Sequence, residues 1–343
     1  MVLSGEKLCR AGGRDFRLGA RSVEGGAFLA PMSGITDLGM RRAAARFGAG
    51  LVISEMVAAS FYIAADAETR LRAEGAGLPL HVVQIAGRNP AGLAEAARLV
   101  EASGAHAIDI NMGCPAKRVV GGYAGSALMR EPELAVELVR AAIGAVSIPV
   151  SVKMRLGWDE TSINAPELAR RLEDEGVAFV TVHGRTRNQF YKGQADWPAI
   201  RAVREAIAIP LVANGDCASL ADARAMIEAS GADAVMIGRA AVGRPWLVGE
   251  IASGLAGRAW RRPSCAERGA AARDHFRTLL EIFGSRQGVR HARKHLAAYA
   301  DHAADDGAGL PASLRARLVT TEDAVEAEDL LARAFEPQAE MAA

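Results

Sequence analysis

The chain has 343 residues, of which 50% are hydrophobic, and its 41 Lys and Arg against 40 Asp and Glu leave a net charge of +1. This length predicts one large domain and a smaller one, and the near-neutral charge excludes a uniformly basic nucleic-acid-binding chain. The sequence offers no apolar run long enough to span a bilayer and no signal-peptide core. Its four cysteines are scattered without metal-site spacing. We therefore expect a reduced, cytoplasmic protein with no membrane partner and no metal.

Short apolar runs predict β-strands, and amphipathic segments between most of them predict helices. The strands are expected at 27–30, 51–54, 80–85, 107–110, 150–153, 179–183, 211–213 and 234–237. The helices are expected at 37–47, 90–103, 132–145, 165–175, 197–206 and 219–229. This alternation predicts an α/β fold with a parallel sheet. Eight strands can close into a (β/α)8 TIM barrel of roughly 250 residues. An open doubly wound sheet is the alternative, disfavoured because no GxGxxG sequence follows the first strand.

The pattern changes near residue 255, where Gly254, Gly257 and Pro263 indicate a linker. Helices are expected beyond it at 266–284, 287–300, 311–318 and 321–335. We therefore divide the chain into a barrel domain, 1–255, and a small C-terminal helical domain, 256–343. Residues 258–299 contain ten Lys and Arg against three Asp and Glu, whereas residues 301–343 contain three Arg against ten Asp and Glu.

Polar residues, glycines and a Pro-Met pair lie at the carboxyl ends of the predicted strands, which in a TIM barrel form the catalytic face. In chain order they are Pro31, Met32, Ser33, Gln84, Asn111, Cys114, Lys153, Arg155, His183, Arg185, Asn214, Gly215, Asp216, Gly238 and Arg239. Any one of these could be an ordinary polar residue at the start of a loop. Together on one rim they predict a functional site.

The loops after the last two predicted strands have the composition of a phosphate site. Gly215 and Gly238 allow backbone N–H groups to approach an anion, and a following helix start adds a positive dipole end. Arg239 can add a charge-assisted hydrogen bond. Two ordinary β-to-α turns are the alternative.

Three of the rim side chains have several possible roles. Lys153 could form a Schiff base, form an ion pair, or stabilise the negative charge of a reduced flavin. Gln84 offers the donor and acceptor that suit a flavin's imide edge. His183 could contact a flavin or act as an acid, although a histidine in an apolar strand is more often a packed core residue.

Cys114 belongs to the stretch 111–115, Asn-Met-Gly-Cys-Pro, and directly precedes a glycine-bearing loop that we expect to be able to move. It could be a nucleophile, a general acid or a small buried residue, since free cysteine is often inert in cores. Gly113 and Pro115 on either side favour a shaped loop that presents the thiol to a substrate.

In the helical domain, Arg286, Arg290 and Arg293 lie on one side of a predicted helix, with Lys294 and His295 close by. A solvated charged face and a surface that binds RNA phosphates are equally compatible with this pattern.

Taken together, these motifs resemble the tRNA-dihydrouridine synthases, most closely the bacterial B-type subgroup. The resemblance covers nearly the whole chain and rests on residues 30–37, 54–56, 83–87, 109–115, 152–158, 182–187, 213–216 and 236–240, with 293–295 and Tyr299 in the helical domain. Ser33 and Cys217 depart from the residues usual at those positions in the family.

The resemblance implies an FMN-binding barrel followed by a tRNA-binding helical domain. It implies that FMN is held by Pro31, Met32, Ser33, Gln84, Lys153, Asn214, Gly215, Asp216, Gly238 and Arg239, with His183 nearby. Cys114 matches the family's catalytic cysteine and would protonate C5 of a D-loop uridine after hydride transfer from NADPH-reduced FMN to C6. We expect Asn111, Arg155 and Arg185 beside the substrate, and Arg286, Arg290, Arg293, Lys294 and His295 on the tRNA.

Other functions are compatible with parts of the pattern. An FMN-dependent reductase or dehydrogenase of a free pyrimidine, resembling dihydroorotate dehydrogenase, would explain Cys114 but not the basic helical domain. A sugar-phosphate aldolase would use Lys153 as a Schiff base. A non-catalytic RNA-binding factor would not need the cysteine loop.

Overall fold

The structure is a computed structural model and describes residues 16–122, 124–305 and 307–336. The β-strands in these ranges are β1 Phe16–Leu18, β2 Arg21–Val23, β3 Ala27–Leu29, β4 Leu51–Ala58, β5 Val82–Ala86, β6 Ala107–Met112, β7 Val150–Arg155, β8 Val180–His183, β9 Leu211–Asn214 and β10 Ala234–Ile237.

The α-helices in the same ranges are α1 Leu38–Arg46, α2 Ala59–Ile63, α3 Ala67–Ala73, α4 Pro90–Ala102, α5 Lys117–Gly121, α6 Pro132–Ile143, α7 Ala165–Asp174, α8 Trp197–Ala206, α9 Leu220–Ser230, α10 Trp246–Leu255, α11 Cys265–Asp305, α12 Ala312–Thr320 and α13 Ala324–Arg333. Two short 3-10 helices cover Gly125–Arg130 and Arg239–Ala241. None of the helices in the described ranges is long and apolar enough to cross a bilayer.

Strands β3 to β10 form a closed parallel barrel in chain order, with β10 paired to β3. The closing pair aligns Val235 with Ala27, which excludes the open doubly wound sheet. The predicted TIM barrel is therefore confirmed. Several crossover helices begin at side-chain caps, as at α1, where the Asp37 carboxylate accepts a hydrogen bond from the Met40 N–H at 3.1 Å.

The hairpin β1–β2 was not predicted, and it covers the amino end of the barrel. Leu18 and Val23 from this hairpin are buried with Phe28 and Phe179, whose rings meet edge to face at 6.4 Å. Both strands of the hairpin mix charged or polar residues with apolar ones over only three positions, which is too short an alternation to be recognised in a sequence. Helix α10 was also missed, because it follows the last strand without a distinctive polar face.

The C-terminal helices pack on one side of the barrel through their own apolar core. Helix α11 is broken at Gly284, where φ is 73° and ψ is 165°, close to the predicted boundary between two helices. Phe276 and Tyr299 from its two halves are buried together with Trp246 of α10. Because α10 ends the barrel and also enters this core, it joins the two parts of the molecule.

A buried polar cluster lies where the helical part meets the barrel. His275 bonds through Nε2 to Asp37 Oδ1 at 3.0 Å and through Nδ1 to the Tyr299 hydroxyl at 3.0 Å. His295 Nε2 lies 3.2 Å from Asp37 Oδ2. Burial alone would raise the pKa of Asp37, but the two histidines hold that pKa well below its usual value.

This cluster differs from the sequence prediction in two respects. His295 is only 2% exposed, so it does not lie on the exposed basic face where we expected it. A helical wheel places His295 beside Lys294 but cannot show which of the two meets the barrel. The ligand atoms of Asp37, His275 and His295 lie within 4.8 Å of one another, a spacing that also suits a metal ion, although the sequence had indicated no metal site.

Close backbone packing between α10 and the end of α1 gives a test of the fold. A Cβ added at Gly249 would lie 1.7 Å from the Phe47 carbonyl oxygen, so Gly249→Ala must push the helices apart. We expect the free energy of unfolding to fall by about 1–3 kcal/mol in urea titrations. The control is Gly92→Ala in α4, where the nearest atom would be Asn89 Oδ1 at 3.5 Å and stability should not fall. Equal stability of the two variants would contradict this packing.

Candidate active site

A cavity of about 810 Å³ opens at the carboxyl ends of the barrel strands. Every parallel strand of the barrel ends at the same face, so residues that are distant in sequence meet in this cavity. Its walls include the predicted residues Pro31, Met32, Ser33, Gln84, Asn111, Cys114, Lys153, Arg155, His183, Asn214, Gly215, Asp216, Gly238 and Arg239.

Cys114 lies at the cavity wall on a turn that is held by hydrogen bonds. Asn111 Oδ1 accepts from the Gly113 N–H at 3.2 Å and from the Cys114 N–H at 2.9 Å. The Cys114 carbonyl accepts from Ser126 through its hydroxyl at 2.8 Å and its N–H at 3.1 Å. The peptide that carries the thiol is anchored on both sides, and movement of the loop that follows it stays a prediction. The half-buried side chain is thereby aimed into the cavity.

Buried side-chain hydrogen bonds, from Asp109 through Gln84 to Asn111, orient the Asn111 amide that holds this turn. Gln84 Nε2 donates to Asp109 Oδ2 at 2.6 Å, and Asn111 Nδ2 donates to Gln84 Oε1 at 2.8 Å. Burial raises the pKa of Asp109, which also accepts from the Ser151 hydroxyl at 2.7 Å. Gln84 keeps one N–H and one lone pair for a ligand. The sequence analysis missed Asp109, whose place inside an apolar strand was the available signal.

Lys153 is one of the cationic side chains that line the cavity. Its Nζ donates to Asn214 Oδ1 at 3.0 Å, and Asn214 Nδ2 donates to the Met236 carbonyl at 2.8 Å. Burial, with a smaller contribution from the nearby Arg155 charge, lowers the pKa of Lys153 to about 8. The amine is therefore mostly protonated at pH 7 and retains two N–H donors for an anionic or carbonyl group.

His183 is neutral in this environment. Burial lowers its pKa well below the usual value, and the charges of Lys153, Arg155, Arg185 and Arg239 add to that effect. Arg185 Nη1 lies 3.3 Å from His183 Nε2. Because a guanidinium can only donate, Nε2 accepts and the ring proton is on Nδ1. His183 can thus donate a hydrogen bond from Nδ1, but the neutral ring has no imidazolium proton to transfer as an acid.

Arg155 and Arg185 are each 1% exposed and bond mainly to the protein. Arg155 donates from Nε to the Gly113 carbonyl at 2.8 Å and from Nη1 to the carbonyls of Thr186 and Phe190 at 2.9 Å. These bonds join the cysteine turn to the loop after β8. Arg155 lines the cavity whereas Arg185 does not, and contact of either residue with RNA stays a prediction.

Asp216, in the loop after β9, binds an arginine from the loop after β8 and another from the loop after β10. Its carboxylate accepts from Arg185 Nη1 at 3.0 Å and from Arg239 Nη2 at 3.1 Å. Burial alone would raise the pKa of Asp216, but the Arg185 hydrogen bond and the two guanidinium charges lower it. Gly215, with φ of 125°, needs to be glycine because a Cβ would lie 2.6 Å from that of Ala195. Asp216 itself adopts a φ of 58°.

Two aromatic residues of the cavity wall, Phe190 and Tyr191, were missed by the sequence analysis. The Tyr191 ring is 53% exposed, with the guanidinium carbons of Arg155 and Arg239 at 5.5 and 5.1 Å from its centroid. Two adjacent aromatics in an otherwise polar loop were the signal that could have identified them, since exposed rings of this size often mark binding sites.

Only part of the basic face predicted on α11 is free to bind another molecule. Arg286, Arg290 and Lys294 are exposed, but Arg290 and Arg293 both face Glu322, at 3.3 and 3.9 Å. The Lys294 side chain reaches the barrel, because a Cβ at Gly34 would lie 2.9 Å from its Nζ. None of these residues lines the cavity.

One known protein family and several of its members are similar to this chain. A family model described as "Dihydrouridine synthase (Dus)" matches residues 28–339. A "Probable tRNA-dihydrouridine synthase" from Rhizobium leguminosarum bv. phaseoli is 51% identical over 302 residues, which cover 88% of this chain and 92% of the relative. A "tRNA-dihydrouridine synthase B" from Xanthomonas axonopodis pv. citri is 46% identical over 289 residues, 83% of this chain and 87% of the relative.

Solved structures with lower sequence similarity share the fold. Histamine dehydrogenase from Rhizobium sp. 4-9 is 13% identical with a TM-score of 0.54, covering 78% of this chain and 51% of that one. The family model matches most of this chain, and the Rhizobium leguminosarum relative is about half identical to it over most of its own length. This chain therefore belongs to the dihydrouridine synthase family of enzymes.

Proposed function

We propose that this protein is a flavin-dependent tRNA-dihydrouridine synthase that reduces the C5–C6 bond of a D-loop uridine, with FMN as the bound cofactor and NADPH as the source of electrons. The observation that carries the proposal is the convergence of the Cys114 turn with Lys153, Asn214 and the two glycine loops on one cavity. Membership of the family supports the substrate class.

The cavity suits FMN in size and in chemistry. Its volume of about 810 Å³ lies within the range of small-molecule sites and leaves space for a pyrimidine beside the cofactor. Gly215, Gly238 and Arg239 would hold the phosphate, and Pro31, Met32 and Ser33 would form the opposite wall. Lys153, Asn214 and His183 would face the polar edge of the ring system, with the free N–H and lone pair of Gln84. Asp216 would act by orienting Arg239.

In this mechanism, FMN would, when bound, supply the hydride that is delivered to C6 of uracil. Cys114 protonates C5 from its thiol, and solvent later returns that proton to sulfur. A thiol carries one S–H proton, which it can donate as a general acid. Asn111, Ser126 and Arg155 fix the backbone on either side of Cys114, so that little more than the side-chain rotamer remains free.

The barrel would bind the cofactor and the helical part would bind the tRNA. We assign residues 1–255 to the catalytic domain and 256–343 to the RNA-binding domain, where Arg286, Arg290, Arg293 and Lys294 would contact phosphates. Extrusion of the target base costs a few kcal/mol, and phosphate contacts can offset that cost. Glu322, which faces both Arg290 and Arg293, would weaken this attraction.

The role of Cys114 predicts a selective loss of product. Cys114→Ala should lower the rate of dihydrouridine formation by about 10²–10⁴-fold, the usual contribution of a general acid. It should still bind FMN and accept electrons from NADPH, because the thiol takes no part in either step. Dihydrouridine is measured by mass spectrometry of tRNA, and flavin reduction by absorbance. Cys265→Ala in α11 is the control, and a wild-type rate of product formation by Cys114→Ala would exclude the proposed role.

The lowered pKa of Lys153 predicts how FMN binding depends on pH. The charged amine attracts the flavin's polar edge, and it is lost as the pH rises through about 8. If only the charged form binds, the Kd for FMN should rise about fivefold between pH 8 and pH 9. Fluorescence titration measures this, with Lys153→Gln expected to bind weakly at both pH values. Lys192→Gln, at an exposed position, is the control. A Kd for FMN that does not change over this range would contradict the assignment.

The charges around Glu322 predict opposite effects on tRNA affinity. The double variant Arg286→Gln, Arg290→Gln should bind tRNA more weakly and with a flatter salt dependence. Glu322→Gln should bind it more tightly, because the change frees Arg290 and Arg293. The control is Arg277→Gln, since Arg277 pairs with Glu328. If all these variants bind tRNA with wild-type affinity in anisotropy titrations, α11 is not the RNA-binding face.

A further inference from the structure

Two arginines and a tryptophan form a stacked column that joins the cavity wall at Phe190. The guanidinium carbon of Arg130 lies 3.8 Å from the centroid of the Trp158 ring, and that of Arg187 lies 4.6 Å from it. Arg187 also lies 4.7 Å from the centroid of Phe190, which lines the cavity. We call Arg130, Trp158 and Arg187 the arginine–tryptophan column.

Three successive loops at the catalytic face position this column. Arg130 ends the 3-10 helix that follows the Cys114 turn, and Trp158 follows β7. The Arg187 N–H donates to the Gly157 carbonyl at 3.0 Å, and the Asn188 N–H donates to the Trp158 carbonyl at 2.9 Å. The column is therefore tied to the same rigid strand ends that carry the catalytic residues.

The column carries positive charge that the protein does not neutralise. In the described part of the chain, neither Arg130 nor Arg187 has a carboxylate within ion-pair distance, and the buried Arg187 Nε has no hydrogen-bond partner. Arginines on the outer helices do have such partners, as in Arg140–Glu175 at 2.7 Å and Arg171–Glu133 at 2.6 Å. Two guanidinium groups on one indole repel each other, and an anion between or beside them would relieve that repulsion.

We propose that the arginine–tryptophan column binds a phosphate of the tRNA strand next to the target uridine. This inference rests on the proposed function. When a base is extruded into a cavity, the phosphates on either side of it stay at the opening, because the charged backbone cannot follow the base inside. The planar guanidinium forks of Arg130 and Arg187 match a phosphate. Contacts of this kind set the position of a strand without reading its sequence.

The test measures tRNA affinity as a function of salt concentration for Arg130→Gln and Arg187→Gln. Each change should lower the affinity and reduce the slope of log K against log salt by at most roughly 0.7, the value for one single-strand phosphate contact. The control is Arg170→Gln, which removes a charge paired with Asp174 at 2.8 Å on helix α7. The control should bind tRNA as the wild type does, and flavin reduction by NADPH should be unchanged in all three variants.

Several results would overturn the inference. One such result is that both column variants bind tRNA with the same affinity and the same salt slope as Arg170→Gln. Another is impaired flavin reduction by NADPH with unchanged tRNA binding, which would assign the anion to the dinucleotide. If Arg187→Gln lowers the melting temperature, the tRNA affinity of Arg130→Gln, a change at an exposed position, decides the test. Wild-type protein that binds no tRNA would overturn the proposed function itself, whereas wild-type binding with unaffected column variants would overturn only this inference.

Discussion

Closure of the parallel barrel is the constraint on which the rest of the molecule depends. In a closed parallel barrel every strand ends at the same face, so residues from 31 to 239 reach one cavity. The last pairing, of β10 with β3, brings the glycine loop at Gly238 next to Met32, whose sulfur would lie 3.6 Å from an added Cβ. Without that pairing, the loops at Gly215 and Gly238 and the cysteine turn would not line one cavity.

The direction of hydrogen bonds then fixes the chemistry of the site. The Asp109 carboxylate faces the Gln84 amide nitrogen, which leaves the Gln84 oxygen to accept from Asn111. The Asn111 oxygen is thereby turned toward the N–H groups of Gly113 and Cys114. Each amide in this chain has one orientation that satisfies both neighbours. A buried acid thus orients the cysteine turn although it does not line the cavity.

The helical part is attached to the barrel at a position that matters for the site. Asp37, which His275 and His295 contact, caps helix α1 a few residues after Pro31, Met32 and Ser33. Lys294, beside His295, reaches Gly34 in the same loop. Removing one partner from a buried charged cluster is strongly destabilising. The docking of the helices and the shape of the loop after β3 are therefore connected through neighbouring contacts.

The sequence by itself determined the barrel and most of its catalytic face. Apolar runs at regular intervals predicted the eight strands, and strand ends then located Cys114, Lys153 and Asn214, because local periodicity and chain order are enough to define that face. Signals of two kinds were too weak: the three-residue strands of β1–β2, and the aromatic pair Phe190 and Tyr191 in a polar loop.

Only the tertiary structure decided what each side chain does at its position. It buried His295 while leaving Lys294 exposed, placed Glu322 against Arg290 and Arg293, and turned Arg155 toward the backbone of the cysteine turn. It also brought Arg130 and Arg187 onto one indole from different loops. These outcomes depend on contacts between residues far apart in the chain, and such contacts leave no periodic pattern in the sequence.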